Sequence, residues 1–386
     1  MNKQTIPYAN LDTPVVLIDL EKLMSNIREM TELARKAKVK LRPHTKVHQS
    51  ADIAEMQIAA GACGVEVGNV PQAEAMVKQG IHDIVIAHPF GGHLKFERLK
   101  GLLNKPAVHI AVVVDMIEQA EELSRIGKEM ERKVPIHLKI DTGINRYGVL
   151  PGKPALEMAK KLSKLPGVVL SGVYAHESGA KPTEAGVSKM AFEVASSINE
   201  LAKMLKKQKI PLETVSVGAS PTFRATCRFL REKRFPEITE IHPGQCVIGD
   251  ILYTKGLGNT REACALKILT AVMSTSHKSH AVIDAGYKTF GADSMIGYRK
   301  SPNFFWKGLP SFGSVEGRRD LWLGRLGAET GWVYYVRPQR RLNLGERLEI
   351  VPNNATLVMN IHDQVYGVRK GRVDNIIRRT GRELGS

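Results

Sequence analysis

The sequence has few cysteines and no long apolar run, and both absences narrow the class of protein. The four cysteines are scattered, without the paired spacing of a zinc site or a disulfide framework: Cys63, Cys227, Cys246 and Cys264. No run of about 18 apolar residues could span a membrane, and residues 1–14 lack the apolar core of a secretory signal. We therefore expect reduced thiols, no membrane partner and a cytoplasmic location.

Acidic residues are outnumbered by basic ones. The chain has 56 Lys and Arg and 39 Asp and Glu, which gives a formal net charge of +17. Such an excess of positive charge is typical of proteins that bind nucleic acids. The basic residues are spread along helical stretches such as 160–164 and 203–207, without interleaved aromatic residues. We expect no nucleic-acid partner, because a phosphate-bearing cofactor, anionic substrates or a heat-adapted surface suit the charge equally well.

Strand-like and helix-like runs alternate up to about residue 250. After a short strand at 15–18 and a helix that follows Asp19, strands are predicted at 39–41, 63–68, 83–89, 107–115, 134–141, 168–176, 214–219 and 240–245. Helices are predicted at 50–60, 71–80, 94–104, 116–131, 152–165, 185–208 and 221–233. Eight such strands predict an α/β fold of the (β/α)8 TIM-like barrel type. The alternative, an open doubly wound sheet, requires a glycine fingerprint after its first strand, and none is present.

Beyond about Leu252 the pattern changes to strand-like pieces joined by turns, without long helical periodicity. This change predicts a second, mostly-β domain. We place the barrel at residues 15–250, and assign residues 1–14 and 251–386 to a β domain that completes the active site.

The segment VKLRPHTKVHQ, residues 39–49, contains the first candidate for chemistry. Pro43 makes a continuing helix improbable, so Lys46 is expected at or just past a strand end, where barrel enzymes carry their active sites. A lysine with a lowered pKa can form an imine with an aldehyde cofactor. Positive charge on Arg42, His44 and His48 is expected to lower the pKa of Lys46.

Polar loops follow four of the later predicted strands. They are DTGINR at 141–146, YAHESG at 174–179, SVGASPT at 216–222 and HPGQ at 242–245. Loops after the last two strands of such a barrel commonly bind phosphate. A lysine on the first strand, together with these loops, predicts a pyridoxal phosphate site.

Seven motifs in order, RPHTK, GINRYGV, YAHESG, SVGASPT, EIHPGQ, VIDAGYK and VPNNATLVMNIHD, resemble the D-threonine aldolase and D-serine dehydratase family of fold-type III pyridoxal phosphate enzymes. The resemblance runs from Thr13 to Val373 and implies an alanine-racemase-like barrel with a C-terminal β domain, usually a homodimer. It implies that Lys46 is the Schiff-base lysine, Arg146 lies near the phenolic oxygen and Tyr174 faces the pyridine nitrogen. The resemblance also implies a phosphate cradle formed by Gly218, Ser220, Thr222, Gly244 and Gln245.

The chain departs from the family at its metal site. A histidine together with a cysteine or aspartate holds a divalent ion there, whereas the matching positions here are Asn354 and Thr356. Amide and hydroxyl oxygens are weak ligands for a site with two protein ligands. We therefore expect the family metal site to be lost.

Four hypotheses follow, three of them for an enzyme that acts on a small D-amino acid. An aldolase would cleave the Cα–Cβ bond of a D-β-hydroxy amino acid, with His44, His48 or His176 as base. A dehydratase is harder to reconcile with a lost metal, since hydroxide is a poor leaving group. A metal-independent racemase or epimerase would use Lys46 and Tyr287 as its two bases, and a cofactor-binding carrier would lack turnover. We favour the aldolase.

Overall fold

The protein is described by a computed structural model over residues 6–254, 257–292 and 305–381. The described chain forms two compact units. The barrel unit is built mainly from Ile27–Gly244, and the β unit from the described residues of Met1–Asn26, Gln245–Lys255 and Asn259–Arg379. Among the described helices, none is both long and apolar enough to cross a bilayer.

Strands and helices of the barrel unit alternate as the sequence predicts. The described chain begins with a 3-10 helix, Tyr8–Asn10, followed by β1 (Val15–Asp19) and α1 (Leu20–Ala37). The barrel strands are β2 (Lys40–Leu41), β3 (Val65–Val67), β4 (Asp83–Ile86), β5 (His109–Val114), β6 (Val134–Ile140), β7 (Val168–Ala175), β8 (Thr214–Val217) and β9 (Glu240–Ile241). The intervening helices are α2 (Ala51–Ala59), α3 (Val70–Lys78), α4 (His93–Leu103), α5 (Ile117–Glu129), α6 (Lys153–Leu162), α7 (Glu184–Lys207) and α8 (Phe223–Arg231).

The eight strands form one parallel sheet in the order β2-β9-β8-β7-β6-β5-β4-β3. Backbone hydrogen bonds also join its two end strands. The Cys63 amide donates to the Leu41 carbonyl and the Glu66 amide to the Pro43 carbonyl, each at 2.9 Å. The sheet therefore curls on itself, and the carboxyl ends of all its strands meet at one mouth.

Local sequence explains these elements. Inner strands such as β5, with Val112–Val114 almost fully buried, are continuously apolar because helices cover a parallel sheet. Helix α7 begins at an N-cap, Thr183, whose hydroxyl accepts the Gly186 amide hydrogen. Its buried residues recur at intervals of three and four, so one stripe of the helix faces the sheet.

The β unit contains the remaining elements. They are a 3-10 helix, Gln245–Val247, then α9 (Ile251–Thr254), β10 (Leu266–Ser274), β11 (His280–Ile283), α10 (Tyr287–Phe290), β12 (Phe305–Trp306), β13 (Leu309–Pro310), β14 (Gly313–Val315), β15 (Leu321–Leu326), β16 (Gly331–Tyr335), β17 (Arg347–Pro352), α11 (Ala355–Ile361), β18 (Gln364–Arg369) and β19 (Arg372–Arg378). Its large sheet follows the order β15-β16-β11-β10-β1-β18-β19, with β17 pairing to β10 and β14. The predicted fold class, an eight-stranded α/β barrel sheet followed by a mostly-β domain, is confirmed.

The domain limits given above stay a prediction. Strand β1 belongs to the sheet of the β unit, where it pairs antiparallel with β10 and parallel with β18. Its apolar sequence resembles that of a barrel strand, so its partners could not be read from the sequence.

Candidate active site

Lys46 lies at the mouth of the barrel sheet, just past β2. Pro43 ends the strand, and Lys46 sits in a 3-10 helix, Thr45–Val47, capped by the His44 side chain. Burial and the positive charge of Arg146 lower the pKa of Lys46, and Glu66 opposes them. The amine is therefore easier to deprotonate than an ordinary lysine.

The lowered pKa of Lys46 was predicted, but its cause differs from the predicted one. Arg42 is committed to two ion pairs, with Glu240 at 3.0 Å and Asp83 at 2.6 Å. Burial lowers the pKa of His44 and brings that of His48 to about 4, so neither ring carries a charge at neutral pH. Burial, rather than positive charge on Arg42, His44 and His48, is the main cause of the lowered pKa of Lys46.

Four histidines from different strand ends come together around Lys46. His44 and His88 have ring centroids 6.0 Å apart, as have His176 and His242. Burial lowers the pKa of all four, and the charge of Lys46 lowers it further. We call these residues the histidine cluster, and its imidazoles are neutral at pH 7.

The hydrogen bonds of the three predicted base candidates fix their tautomers. His44 and His48 accept backbone amide hydrogens at Nδ1, from Lys46 at 3.3 Å and Ser50 at 3.1 Å, so each neutral ring carries its proton on Nε2. His176 Nδ1 lies 3.2 Å from the carbonyl oxygen of Gly218. Since a carbonyl only accepts, Nδ1 of His176 is the protonated nitrogen and its Nε2 presents a lone pair.

His48 stands apart from the other two candidates. It is fully buried, and the neighbours that affect its pKa are Gln57 and Ser50 rather than Lys46 or the histidine cluster. The charge of Lys46, by contrast, lowers the pKa of both His44 and His176. The sequence could not make this distinction, because all three histidines lie in polar segments at strand ends.

Tyr174 is buried beneath the histidine cluster. Its hydroxyl donates to Glu66 at 3.1 Å, and its ring stacks on His242 with centroids 4.2 Å apart. Burial and the neighbouring Glu240 raise the pKa of Glu66 well above its ordinary value. The Lys139 ammonium lies 4.5 Å from the centroid of the Tyr174 ring.

Arg146 follows β6 on an exposed loop. Its guanidinium lies 4.4 Å from the centroid of the Tyr147 ring. Its charge lowers the pKa of Lys46, Lys139 and His176, so the guanidinium acts on the same mouth of the barrel as Lys46. Its assignment to a phenolic oxygen stays a prediction.

The residues predicted to cradle a phosphate lie in the loop after β8 and the turn after β9. The Thr222 hydroxyl bonds to the amide and carbonyl of Ala219, and the Ser220 hydroxyl accepts the Gly244 amide hydrogen at 3.2 Å. Gly218 has φ +135°, a conformation that L side chains rarely adopt. A Cβ on Gly244 would lie 2.6 Å from the His44 carbonyl oxygen. These positions hold two turns against each other and against the Lys46 segment.

The remaining predicted residues lie in the β unit. The Gln245 amide donates to Asp250, and its carbonyl oxygen accepts the Thr356 hydroxyl at 2.7 Å. Asn354 is the N-cap of α11 and accepts the Leu357 amide hydrogen at 3.3 Å. Tyr287 opens α10, is 42% exposed and packs edge-on against Phe312. Its predicted part as a second base stays a prediction.

Neither of the two positions that match the family's metal ligands offers a strong metal donor. Asn354 caps a helix and Thr356 bonds to Gln245, both neutral oxygen groups in structural contacts. Over residues 6–254, 257–292 and 305–381, no group of three or more His, Cys, Asp or Glu side chains is arranged to hold a metal ion.

Five residues at the barrel mouth were not among the predicted site residues: Glu66, His88, Lys139, Glu177 and His242. Glu66 and Lys139 are charged residues inside apolar strand runs, CGVEVG and PIHLKID. A charge that interrupts a buried strand is itself a signal, because charged groups are rarely buried without a function or a partner.

Comparison with known proteins gives matches along most of the chain. The family model described as "Alanine racemase, N-terminal domain" matches residues 18–251, and that described as "Putative serine dehydratase domain" matches residues 265–368. A 3-hydroxy-D-aspartate aldolase of Paracoccus denitrificans (strain Pd 1222) is 27% identical over 95% of this chain and 91% of its own. A D-threo-3-hydroxyaspartate dehydratase of Delftia sp. (strain HT23) is 28% identical over 89% and 91%. The crystal structure of D-threonine aldolase from Filomicrobium marinum matches with a TM-score of 0.85 at 26% identity, over 98% of both chains.

Proposed function

Since the chain belongs to the alanine racemase N-terminal domain family, we propose that it is a pyridoxal phosphate-dependent lyase that cleaves D-β-hydroxy amino acids to glycine and an aldehyde. Its resemblance to the D-threonine aldolase and D-serine dehydratase family is confirmed by relatives that span nearly the whole chain. The observation that carries the proposal is Lys46, a half-buried lysine with a lowered pKa at the barrel mouth, surrounded by neutral histidines.

The residues at the barrel mouth fit pyridoxal 5′-phosphate. Lys46 is a suitable amine for its aldehyde. The turns at Gly218–Thr222 and Gly244 carry amides and hydroxyls, the groups that bind phosphate, and the Ala219 and Gly244 amides donate to hydroxyls within these turns. We assign Arg146, Tyr174 and Gln245 to the same ligand on the basis of the family resemblance. When bound, the cofactor would supply an aldehyde for the substrate amine and a ring that withdraws electrons from Cα.

We assign His176 as the base that takes the proton of the substrate's β-hydroxyl. Its Nδ1–H bond to Gly218 leaves the Nε2 lone pair available. Its pKa lies well below the ordinary value, because the site is buried and cationic. His176 is therefore neutral and able to accept a proton at pH 7. His44 has the opposite tautomer and would act as a donor through Nε2.

The substrate amine and carboxylate would enter a site whose charges favour an anion. Arg146 and Lys139 both act on the barrel mouth, and burial raises the pKa of the acidic Glu66 there well above its ordinary value. A buried cationic pocket attracts the carboxylate of an amino acid and excludes free cations. This electrostatic balance supports a small D-amino acid as substrate.

We propose that the reaction needs no divalent ion bound at the family's ligand positions. Asn354 and Thr356 are neutral donors already engaged in the contacts of the β unit, and their chemistry does not fit a metal site with two protein ligands. Proton removal then depends on His176 alone.

The test is a proton NMR time course in D₂O with chelator-treated, cofactor-loaded protein and D-threonine. Glycine and acetaldehyde are the expected products. Production of 2-oxobutyrate instead would point to dehydration, and exchange of the Cα proton with an intact carbon skeleton would point to racemisation. An inert mixture would remove the lyase proposal and leave a cofactor-binding carrier.

Dehydration is the second candidate, because the C-terminal match is to a putative serine dehydratase domain and one relative is a 3-hydroxyaspartate dehydratase. A dehydratase must expel hydroxide, which is a poor leaving group without a Lewis acid. The replaced metal-ligand positions therefore favour the aldolase.

The assembly and location that we propose are a homodimer in the cytoplasm. The family resemblance supports the dimer, and the unpaired cysteine spacing supports the reducing compartment. Sedimentation velocity tests the dimer, for which a single species of about twice the 42.6 kDa chain mass is expected.

A further inference from the structure

The phosphate cradle contains a buried carboxylate for which the proposed reaction has no use. Glu177 follows His176 at the end of β7 and is 2% exposed. Neither of its carboxylate oxygens has a hydrogen-bond partner of good geometry within the described residues. The Gly218 amide and the Thr222 hydroxyl nevertheless lie close enough to lower its pKa. Glu177 thus faces two of the residues assigned to the phosphate.

Burial dominates the electrostatics of this carboxyl. It raises the pKa of Glu177 to about 7, although Lys139, Gly218 and Thr222 all oppose the rise. The charged or titratable groups that act on Glu177 are Lys139 on β6 and Tyr174 on β7, beside its chain neighbour His176. Of these, Lys139 alone is cationic at neutral pH, and burial and Arg146 lower its pKa to about 8.

A phosphate monoester brought to this cradle would meet the Glu177 carboxylate as a like charge. Two negative groups that share a buried site disfavour each other's ionised form. The donors at Gly218 and Thr222 would also have to serve either the carboxylate or the phosphate. A neutral Glu177 removes the repulsion, and its O–H can donate to a phosphate oxygen.

We propose that Glu177 is protonated whenever the cradle holds a phosphate ester, so that binding a pyridoxal-type phosphate takes up one proton at this residue. The proton comes from solvent, and no covalent bond changes. The inference rests on the proposed function, since the cradle is assigned there.

The coupling between proton uptake at Glu177 and phosphate binding has a definite sign. Below the pKa of Glu177 the carboxyl already carries its proton, and affinity does not depend on this group. Above that pKa binding must bring in a proton, so affinity falls by as much as about tenfold per pH unit. Loss of the Lys139 charge at higher pH acts in the same direction, because less positive charge then faces the phosphate.

The probe for the experiment is pyridoxamine 5′-phosphate, a phosphate ester without an aldehyde. It forms no covalent bond with Lys46, so the protonation state of that amine does not affect the measured affinity through imine formation. Its affinity for the cofactor-free protein is measured by calorimetry between pH 6.5 and 8.5. Wild-type affinity is expected to fall at least about tenfold over this range, and that of Glu177→Gln by less than about threefold.

Proton uptake is measured directly at pH 8 in two buffers of different ionisation enthalpy. The wild type should take up close to one proton more than Glu177→Gln. Glu184→Gln, which alters an exposed glutamate in the first turn of α7, is the matched control and should behave as the wild type.

The outcomes distinguish failure of the inference about Glu177 from failure of the proposed cofactor site. Equal pH dependence and equal proton uptake in the wild type and Glu177→Gln would overturn the inference and leave Glu177 as an ion partner of Lys139. If Glu177→Gln does not fold, the wild-type uptake decides alone, and a value near zero at pH 8 overturns the inference. Failure of every variant to bind the probe at any pH would instead remove the cofactor assignment, and the inference with it.

Discussion

Burial lowers the pKa of the histidines and lysines at the barrel mouth, because it removes the water that stabilises the ionised form. The effect is strongest in the histidine cluster, where the charge of Lys46 adds to it. A neutral imidazole accepts a proton and a neutral amine attacks a carbonyl, so burial prepares both groups for chemistry. Burial acts in the opposite direction on the acidic Glu66, whose pKa it raises well above the ordinary value.

Replacing Lys46 by alanine tests its role directly. The variant should bind no covalently fixed cofactor after borohydride treatment, because no other amine takes the position past β2. Mass spectrometry of the reduced, digested protein locates the modified residue. Lys164→Ala removes an exposed lysine and serves as the control. Cofactor fixed at another lysine in Lys46→Ala would refute the assignment.

Replacing His176 by glutamine tests the proposed base. Loss of a general base lowers turnover by about 10²–10⁴-fold, and KM should change little because glutamine keeps a donor toward Gly218. His48→Gln is the matched control, since His48 lies away from Lys46, and it should retain most of the turnover. In the wild type, the acid limb of kcat/KM should fall only below pH 6.5, because the pKa of His176 lies well below that value. Equal losses in both variants would contradict the assignment.

At the scale of elements, the turn after β9 holds the Lys46 segment in place. Gly244 allows this turn to approach the His44 carbonyl, which precedes Lys46 by two residues. The close contact explains why a glycine stands there without any need for a positive φ. Any side chain at this position would push the two strand-end turns apart.

Gly244→Ala should therefore destabilise the protein by about 1–3 kcal/mol, the usual cost of overpacking, and weaken cofactor binding at the same time. Urea unfolding and cofactor titration measure the two effects. Gly101→Ala provides the contrast, because Gly101 lies in α4 with open space around its Cβ position. That variant should gain about 0.5–1 kcal/mol from improved helix propensity. A fully stable Gly244→Ala that binds cofactor normally would show that the close approach has no role.

At the scale of the whole molecule, the chain forms two units and carries a strongly basic net charge. The formal net charge is +17, and single ion pairs between exposed charged side chains contribute little to stability. In the β unit, Asn354 and Thr356 serve local structure as a helix cap and as a hydrogen-bond donor to Gln245.

Removal of divalent ions should consequently leave the lyase rate within about twofold of the untreated value, since no charged ligand pair stands at the family's positions. The rate is measured after dialysis against chelator, with and without added Mn²⁺ or Zn²⁺. A strict requirement for an added ion would show that other side chains hold a metal in this protein.

Much of the architecture was predictable from the sequence. Helix α7 was expected at 185–208 and runs from Glu184 to Lys207, because its apolar stripe and its N-cap are local signals. Strand β1 shows the limit of such signals, since its five residues do not indicate that they pair with β10 and β18.

By itself, the sequence determined the alternation of strands and helices, the lysine past the first barrel strand and the family, because these depend on local periodicity and on motifs in a fixed order. Only the tertiary structure decided which histidine keeps a free lone pair, why the pKa of Lys46 is lowered and that Glu177 is buried beside Gly218 and Thr222. Those properties depend on burial and on partners more than 40 residues away, such as Gly218 for His176. A titratable group responds to everything packed around it, and packing is settled only when the strands have closed into one sheet.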